Sequence, residues 1–341
     1  MKQKRKKRQS TSPYPKHSHC FQHTKEASDL FHLVMSDSWQ EEYKNKTIFR
    51  RIRRDSESTQ LTGAQLKAVF GPRPAQTNKR HHMEKRILDD ITEIWESRQE
   101  SKQSDTVILG PNFAEHILDL KKHTTSITKF KNELQKTKNQ LVPMYLKENQ
   151  RKKLSTANMI FISMEKHDRY VLYVLDKYKH KVHIIDPGET THEEFEKEKI
   201  DIDKLTLEEA SRVLQKNEDA RKERERQFQE YHVHKTAIIP RFKEVFNIIL
   251  RQTMNAKGTR WQTHTMQDVP VVEKGESTFV VLKLAFLYNG EKFVEDLEDL
   301  SDEVDDWRAE AMYILLNSEM NQVKDSEMGD EISKILRKNE D

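Results

Sequence analysis

The spacing of apolar residues predicts helices before and after a group of strands. Apolar residues recur every three or four positions between 83 and 95, and again between 242 and 250, as they do on the buried face of a helix. Three other runs are rich in β-branched and aromatic residues and are apolar on both faces, which is typical of covered central strands. These runs span residues 159–164, 170–176 and 182–186.

Capping and turn residues place the ends of further elements. Thr62 and Gln65 form a capping box ahead of an apolar run that Gly71 and the following proline end. A short strand is predicted at 106–109, with a helix after it. A strongly apolar helix is predicted to begin at Ser277 and to end at the Asn-Gly pair that follows it.

The two ends of the chain are more polar than its middle. Residues 1–58 are basic and polar, and we predict a mostly disordered tail there. The folded domain is predicted to span residues 59–321, with a charged helical insertion at about 203–235. Residues 322–341 are predicted to be a charged C-terminal tail.

The balance of charge limits the function classes. The chain of 341 residues has 60 Lys and Arg against 57 Asp and Glu, a net charge of +3 that gives no general case for a nucleic-acid binder. Residues 1–8 carry six of the basic residues, so a nucleic-acid contact is possible only through this tail, which is alternatively an import signal. No apolar run approaches the roughly 20 residues that span a bilayer. We expect an intracellular, nuclear protein without a membrane contact.

The single cysteine, Cys20, excludes an internal disulfide and a zinc site built on cysteines. It lies beside His17, His19 and His23, which could in principle hold a metal. The tract is polar and has no second ligand cluster, so a solvated segment is the simpler interpretation. We expect neither a metal nor a cofactor.

Asp186 closes an almost wholly apolar strand, so it is either a turn former or an orienting carboxylate. If the strands at 170–176 and 182–186 form a symmetric hairpin around residues 177–180, Val171 faces Asp186. Arg169 then lies on the same face, diagonal to Asp186 at about 7 to 8 Å between Cα atoms. The register therefore predicts an ion pair between Arg169 and Asp186.

Three blocks around this position resemble the ubiquitin-like-protein protease family, the adenain-like cysteine peptidases that process SUMO and related modifiers, in particular a divergent branch abundant in plant genomes. The blocks are RYVLYVLD at 169–176, IIDP at 184–187 and VVEKGESTFVVLKLAFLYNG at 271–290. The resemblance covers roughly residues 59–321. It implies an α+β, adenain-like fold in which helices flank a mixed central sheet.

The resemblance also implies site residues. The family's histidine falls on Arg169, its aspartate on Asp186, its cysteine on Ser277, and its oxyanion-hole glutamine at or near Val271. Only Asp186 keeps the family's residue. The groove positions implied in the same way are Tyr170, Trp261 and Thr278.

These replacements predict a catalytically inactive pseudoprotease. Arginine is effectively always protonated, so Arg169 cannot accept a proton from a nucleophile. Serine lacks the accessible thiolate of cysteine, whose free pKa is about 8.5. Loss of the nucleophile or base of a serine protease lowers kcat on the order of 10⁶-fold, so the ordinary cysteine-protease mechanism is excluded at this site. Ser277 has an alternative role as the N-cap of its helix.

A pseudoprotease that binds a ubiquitin-like modifier of the SUMO class is the first hypothesis. The second is a weak hydrolase of SUMO-type or ubiquitin-type conjugates that uses Ser277. Its base would be His167, in a polar turn two residues before Arg169, or His264, which is predicted in a loop. The third is a nuclear, nucleic-acid-associated protein that uses the basic tail.

Overall fold

A five-stranded sheet with helices packed against it is the centre of the molecule. The computed structural model describes residues 24–52, 58–71, 78–99, 106–119, 156–166, 169–187, 262–266, 276–293, 303–323 and 325–337, with residues 215, 218, 222, 269 and 272. The helices are α1 (Lys25–Met35), α2 (Asp37–Glu42), α3 (Gly63–Phe70), α4 (Asn78–Gln99), α5 (Pro111–Asp119), α6 (Ser277–Leu287), α7 (Val304–Leu316), α8 (Asp325–Met328) and α9 (Asp330–Arg337). The strands are β1 (Thr47–Arg51), β2 (Thr59–Thr62), β3 (Thr106–Leu109), β4 (Met159–Lys166), β5 (Arg169–Asp176), β6 (Lys181–Ile185) and β7 (Gln262–Thr265).

The large sheet has the order β3-β4-β5-β6-β7 and mixes both kinds of pairing. β3 runs parallel to β4, β4 to β6 are antiparallel, and β7 runs parallel to β6. The symmetric hairpin register is confirmed, because Asp176 pairs with Lys181 and Leu172 pairs with Ile185. The predicted α+β class, with helices flanking a mixed sheet, is confirmed as well.

Both faces of the sheet are covered, as the continuous apolar runs predict. Seven of the eight residues of β5 are buried, and the exception is Arg169 at its start. On the face of Tyr170, Leu172 and Val174, helix α6 packs against the strand. All eleven residues of α6 are buried. A helix that is apolar on all sides belongs in the interior, so α6 is the central helix of the fold.

The prediction that residues 1–58 form a disordered tail is wrong for residues 24–52. These residues form α1, α2 and β1, and Leu30, Trp39 and Phe49 are fully buried. The indole Nε1 of Trp39 donates a hydrogen bond to the carbonyl of Gly63 at 2.9 Å. The segment is polar on average, but its few apolar side chains lie on one face of each element. Residues 1–23, with the histidine cluster and the first basic run, lie outside the described residues.

The predicted C-terminal tail is corrected in the same way for residues 325–337. Met328, Ile332 and Leu336 are buried, whereas Glu331 and Lys334 are exposed. Ile332 and Leu336, four residues apart, give α9 one apolar face, and that helix packs against α1. The predicted folded domain therefore extends beyond both of its expected boundaries.

Several predicted helices lie outside the described residues, including those at 124–140 and at 242–250. Of the predicted insertion at 203–235, Gln215, Glu218 and Lys222 are described, and they are helical. The capping box of Thr62 and Gln65 is confirmed at the start of α3. Within the described ranges, no helix combines the length and the apolarity needed to cross a membrane.

Candidate functional site

An ion pair joins the start of β5 to the residue that follows β6. The Nη2 of Arg169 lies 3.0 Å from the Oδ2 of Asp186, and it donates a hydrogen bond to it. The carboxylate side chain is 1% exposed and the arginine side chain 17%. Burying a carboxylate is costly unless a cation and hydrogen-bond donors compensate for the lost water, and Arg169 supplies both. The pair predicted from the hairpin register is therefore present.

Ser277 connects the start of α6 to the start of β5. Its Oγ accepts a hydrogen bond from the backbone N–H of Tyr170 at 2.9 Å, and the residue is 1% exposed. The pairing of β5 with β6 ends at Leu172 and Ile185, so it does not reach Tyr170. The Ser277 hydroxyl supplies the acceptor that this buried backbone N–H needs.

The prediction that Ser277 is the N-cap of its helix is wrong. Glu276 occupies the N-cap position and makes no side-chain capping hydrogen bond, while Ser277 is the first residue inside α6. The hydroxyl therefore points to another element rather than to the free amides of its own helix. Its role is to attach the helix to the sheet.

The three predicted catalytic positions come together at one end of the sheet. Arg169 and Tyr170 are consecutive residues, so the guanidinium that holds Asp186 and the amide that holds Ser277 originate from adjacent points of β5. The first two residues of β5 thus bring the carboxylate of Asp186, the guanidinium of Arg169 and the hydroxyl of Ser277 into one region. Val271, the expected oxyanion position, lies outside the described residues.

The groove positions are only partly described, and those that are described are buried. Tyr170 is fully buried, and burial together with the nearby carboxylates of Glu165, Glu84 and Asp89 raises the pKa of its phenol. Thr278 is 2% exposed on the first turn of α6. Trp261 lies outside the described residues. Neither described side chain presents a free surface to a bound peptide in this conformation.

Two histidines are candidate bases. His167 lies outside the described residues, and His264 lies near the C-terminal end of α6, whereas Ser277 lies at its N-terminal end. His264 belongs to β7 rather than to a loop, and its ring lies 5.8 Å from the ring of His183. The Nδ1 of His183 lies 2.9 Å from the hydroxyl of Tyr288, which follows the last residue of α6. Ser277 begins that eleven-residue helix, so its hydroxyl is about 16 Å away along the axis. His264 cannot be its base.

Sequence reasoning missed a buried ionic contact behind Ser277. Arg308 of α7 has a side chain that is 4% exposed, and its Nη2 lies 3.3 Å from the Oε1 of Glu276. Its Nη1 donates to the Oδ1 of Asp305 at 2.7 Å. The sequence signal for this contact was the acidic residue Glu276, which directly precedes Ser277 in the block at 271–290. The contact fixes the approach of the chain to α6.

The arrangement can bind and orient, but its permanent cation cannot serve as a general base. Arg169 can only donate hydrogen bonds, because the guanidinium carries no acceptor. The hydroxyl of Ser277 already accepts the Tyr170 amide and has almost no exposed surface. Nucleophilic attack on a substrate requires an accessible nucleophile and a group that takes its proton.

No family model and no curated protein matches the sequence. The structure is similar to the SUMO protease Ulp1 with its catalytic cysteine oxidized to a sulfonic acid, at 9% identity and a TM-score of 0.46 over 86% of this chain and 95% of that chain. It is similar to the C-terminal Ulp1 protease domain in complex with Smt3, the yeast ortholog of SUMO, at 12% identity and a TM-score of 0.47 over the same shares. It is also similar to a de-sumoylating protease, at 10% identity and a TM-score of 0.42 over 84% of this chain and 91% of that chain.

Proposed function

We propose that this protein is a pseudoprotease with a ubiquitin-like-protease fold that binds a ubiquitin-like modifier of the SUMO class without cleaving it. The observation that carries the proposal is the ion pair of Arg169 and Asp186 at 3.0 Å, at the place where the family pairs its histidine with its aspartate. The pair keeps the orienting carboxylate but gives it a partner that cannot exchange a proton.

The state of Ser277 supports the loss of catalysis. Its hydroxyl is buried, and it accepts a backbone hydrogen bond that helps to attach α6 to β5. With the family's base and nucleophile both replaced, the expected loss in kcat is on the order of 10⁶-fold or more. The weak-hydrolase alternative needs both an exposed Ser277 and a histidine beside it.

Binding does not depend on the same side chains as catalysis. In the family that the blocks resemble, the groove holds the extended C-terminal tail of the modifier. Thr278, at the family's glycine position, adds a side chain at the start of α6 and narrows that space. We therefore infer that this protein binds the tail more weakly than an active member of the family does. Part of the affinity then comes from contacts with the folded body of the modifier.

Titration of the full chain with SUMO and with ubiquitin tests the binding proposal. We expect saturable binding of a SUMO-class modifier, weaker binding when the last residues of its tail are removed, and tighter binding by Thr278→Gly. The tail-deleted modifier is the matched control for use of the groove. If neither modifier binds the full chain, the binding proposal is wrong.

A fluorogenic modifier substrate tests the loss of catalysis. We expect no turnover above background from the wild-type chain and the same background from Ser277→Ala. Turnover by the wild-type chain that disappears in Ser277→Ala would support the weak hydrolase instead. Circular dichroism of both proteins ensures that the comparison is between folded chains.

We also infer a nuclear location from the six basic residues at positions 1–8. A fluorescent fusion of the full chain should accumulate in the nucleus. The same fusion with these six residues replaced by glutamine should not. Equal distribution of both fusions would contradict this assignment.

A further inference from the structure

The turn between β5 and β6 carries a concentration of positive charge that the proposed function does not use. Residues 177–181 include three lysines and a histidine, and the exposed Lys292 lies beside Glu291, whose carboxylate pairs with Lys179. We call residues 177–181 together with Lys292 the basic tip. Among the described residues, the acids in contact with the turn include Glu291, which pairs with Lys179, and Asp176, which is fully buried. The tip itself contains four lysines and no acidic residue, although the whole chain is nearly balanced in charge.

Tyr178 stands out at the centre of the basic tip. It is 68% exposed, and among the described residues only one other large hydrophobic side chain, Ile52, is comparably exposed. Because most of its surface stays in solvent, the side chain of Tyr178 contributes little to folding. Its exposed surface is accessible to a planar partner.

Three hydrogen bonds fix the backbone of the turn. The N–H of Lys179 donates to the Oδ1 of Asp176 at 2.8 Å, and the N–H of Lys177 donates to the carbonyl of Asn158 at 2.9 Å. The carbonyl of His180, a residue at φ 51°, accepts from the N–H of Gln262 at 2.9 Å. A turn fixed in this way presents Tyr178 and the lysines without a large cost of ordering on binding.

We propose that the basic tip binds single-stranded nucleic acid, with a base stacked on Tyr178 and the phosphates paired with the lysines. Exposed bases stack on aromatic side chains regardless of sequence, and neighbouring cations follow the phosphate backbone. An acidic peptide would use the charge but not the ring, so the exposed aromatic favours nucleic acid. Burial lowers the pKa of Lys177 to about 8, and a phosphate close to its ammonium would raise that pKa again.

The experiment measures binding of a fluorescently labelled 20-nucleotide oligothymidylate by anisotropy at two salt concentrations. Because residues 1–8 are also basic, every protein is the full chain with the six basic residues there replaced by glutamine. We expect binding to persist in this background. Tyr178→Ala should weaken it about tenfold, and Tyr178→Phe should not, because the stacking surface remains.

The lysines are tested through the salt dependence. Replacing Lys177 and Lys181 by glutamine should reduce the slope of log K against log salt by about 1.4, since each phosphate contact on a single strand contributes about 0.7. The matched control replaces Lys44 and Lys334, which are exposed elsewhere, and should leave affinity and slope unchanged. Unaltered melting temperatures show that the variants remain folded.

Three results would overturn the proposal: no binding in the glutamine background, equal binding by Tyr178→Ala and its parent, or an equal loss in the control variant. Competition by poly-glutamate as effective as that by unlabelled oligonucleotide would indicate a site for acidic peptides instead. None of these outcomes affects the groove around Arg169, so the pseudoprotease proposal is tested separately.

Discussion

At the scale of single residues, the side chain at position 169 determines what its pair with Asp186 can do. A histidine at position 169 could pair with Asp186 and still exchange a proton, whereas arginine can only pair. The partly exposed guanidinium of Arg169 and the buried carboxylate of Asp186 compensate each other's charge. The pair is therefore a structural contact between the start of β5 and the residue that follows β6.

Arg169→Ala should lower the free energy of unfolding by roughly 2 to 4 kcal/mol, because it leaves Asp186 buried without its cation. Urea denaturation of the single variants and of the double variant with Asp186→Ala measures this. The double variant should lose less than the sum of the two single losses, since each single change already breaks the pair. Additive losses would show that the two side chains do not interact.

The converse experiment introduces the catalytic side chains of the family that the three sequence blocks resemble. The triple variant with Arg169→His, Ser277→Cys and Val271→Gln should cleave a fluorogenic modifier substrate, because it regains a base, a thiol and an oxyanion donor. Each single variant should remain at background. A folded triple variant without activity would mean that the groove no longer positions a substrate for attack.

At the scale of elements, α6 is attached to the sheet at both of its ends. Ser277 holds its first residue to β5, and Tyr288, just past its last residue, bonds to His183 of β6. Between these two attachments the helix is mainly apolar and buried, and Lys283 places its ammonium over the ring of Trp307. A change in either attachment should therefore affect the stability of the whole helix.

His183 makes one attachment sensitive to pH. Burial lowers its pKa to about 4, with smaller effects of the same sign from His264, Lys181 and Lys179 and an opposite effect from Asp176. The unfolded chain takes up a proton near pH 6.5 and the folded chain does not until about pH 4. Stability is therefore full above about pH 6.5 and falls by up to about 3 kcal/mol as the pH decreases to about 4.

Denaturant unfolding between pH 7 and pH 4 measures this dependence in the wild-type chain and in His183→Asn. The variant is expected to be less stable at pH 7, because it loses the contact with Tyr288, but to show a shallower decline with falling pH. An identical decline in both proteins would assign the pH dependence to other groups. Comparing slopes rather than absolute stabilities separates the titration from the lost packing.

The sequence contains enough information for four strands of the large sheet, but not for β7 or for the ends of the domain. Period-two and continuous apolar runs predict β4, β5 and β6, and the symmetric loop fixes their register and hence the ion pair. The helix α1 was missed because Ala27, Leu30 and Val34 are its only fully buried side chains in a polar stretch. The contact of Glu276 with Arg308 depends on two helices meeting, which local patterns do not report.

At the scale of the whole molecule, the segment predicted as a tail is part of the core. α1 packs against α7 and α9. Arg51 of β1 makes two ion pairs with α4: its Nη1 lies 2.5 Å from the Oδ1 of Asp90, and its Nη2 lies 2.5 Å from the Oε2 of Glu93. The N-terminal elements thus connect to helices from the middle and the end of the chain. Truncation at residue 58, which the composition alone would suggest, removes one side of the interior.

Trp39→Ala should lower the free energy of unfolding by about 3 to 5 kcal/mol, because it empties a fully buried space and removes the hydrogen bond to Gly63. Ile52→Ala is the matched control from the same segment, since Ile52 is 63% exposed and should change stability by less than about 0.5 kcal/mol. Chemical denaturation of both variants measures the difference. Equal, small effects would mean that residues 24–52 do not contribute to the core.

The hydrogen bond from Tyr170 to Ser277 has a consequence for how the molecule opens. The amide proton of Tyr170 can exchange with deuterium only after a hydroxyl from a different element releases it. The first turn of α6 and the first residues of β5 should therefore become accessible in one cooperative event rather than by independent fraying. The hydrogen bond between Tyr170 and Ser277 would in this way act as the latch between the helix and the sheet.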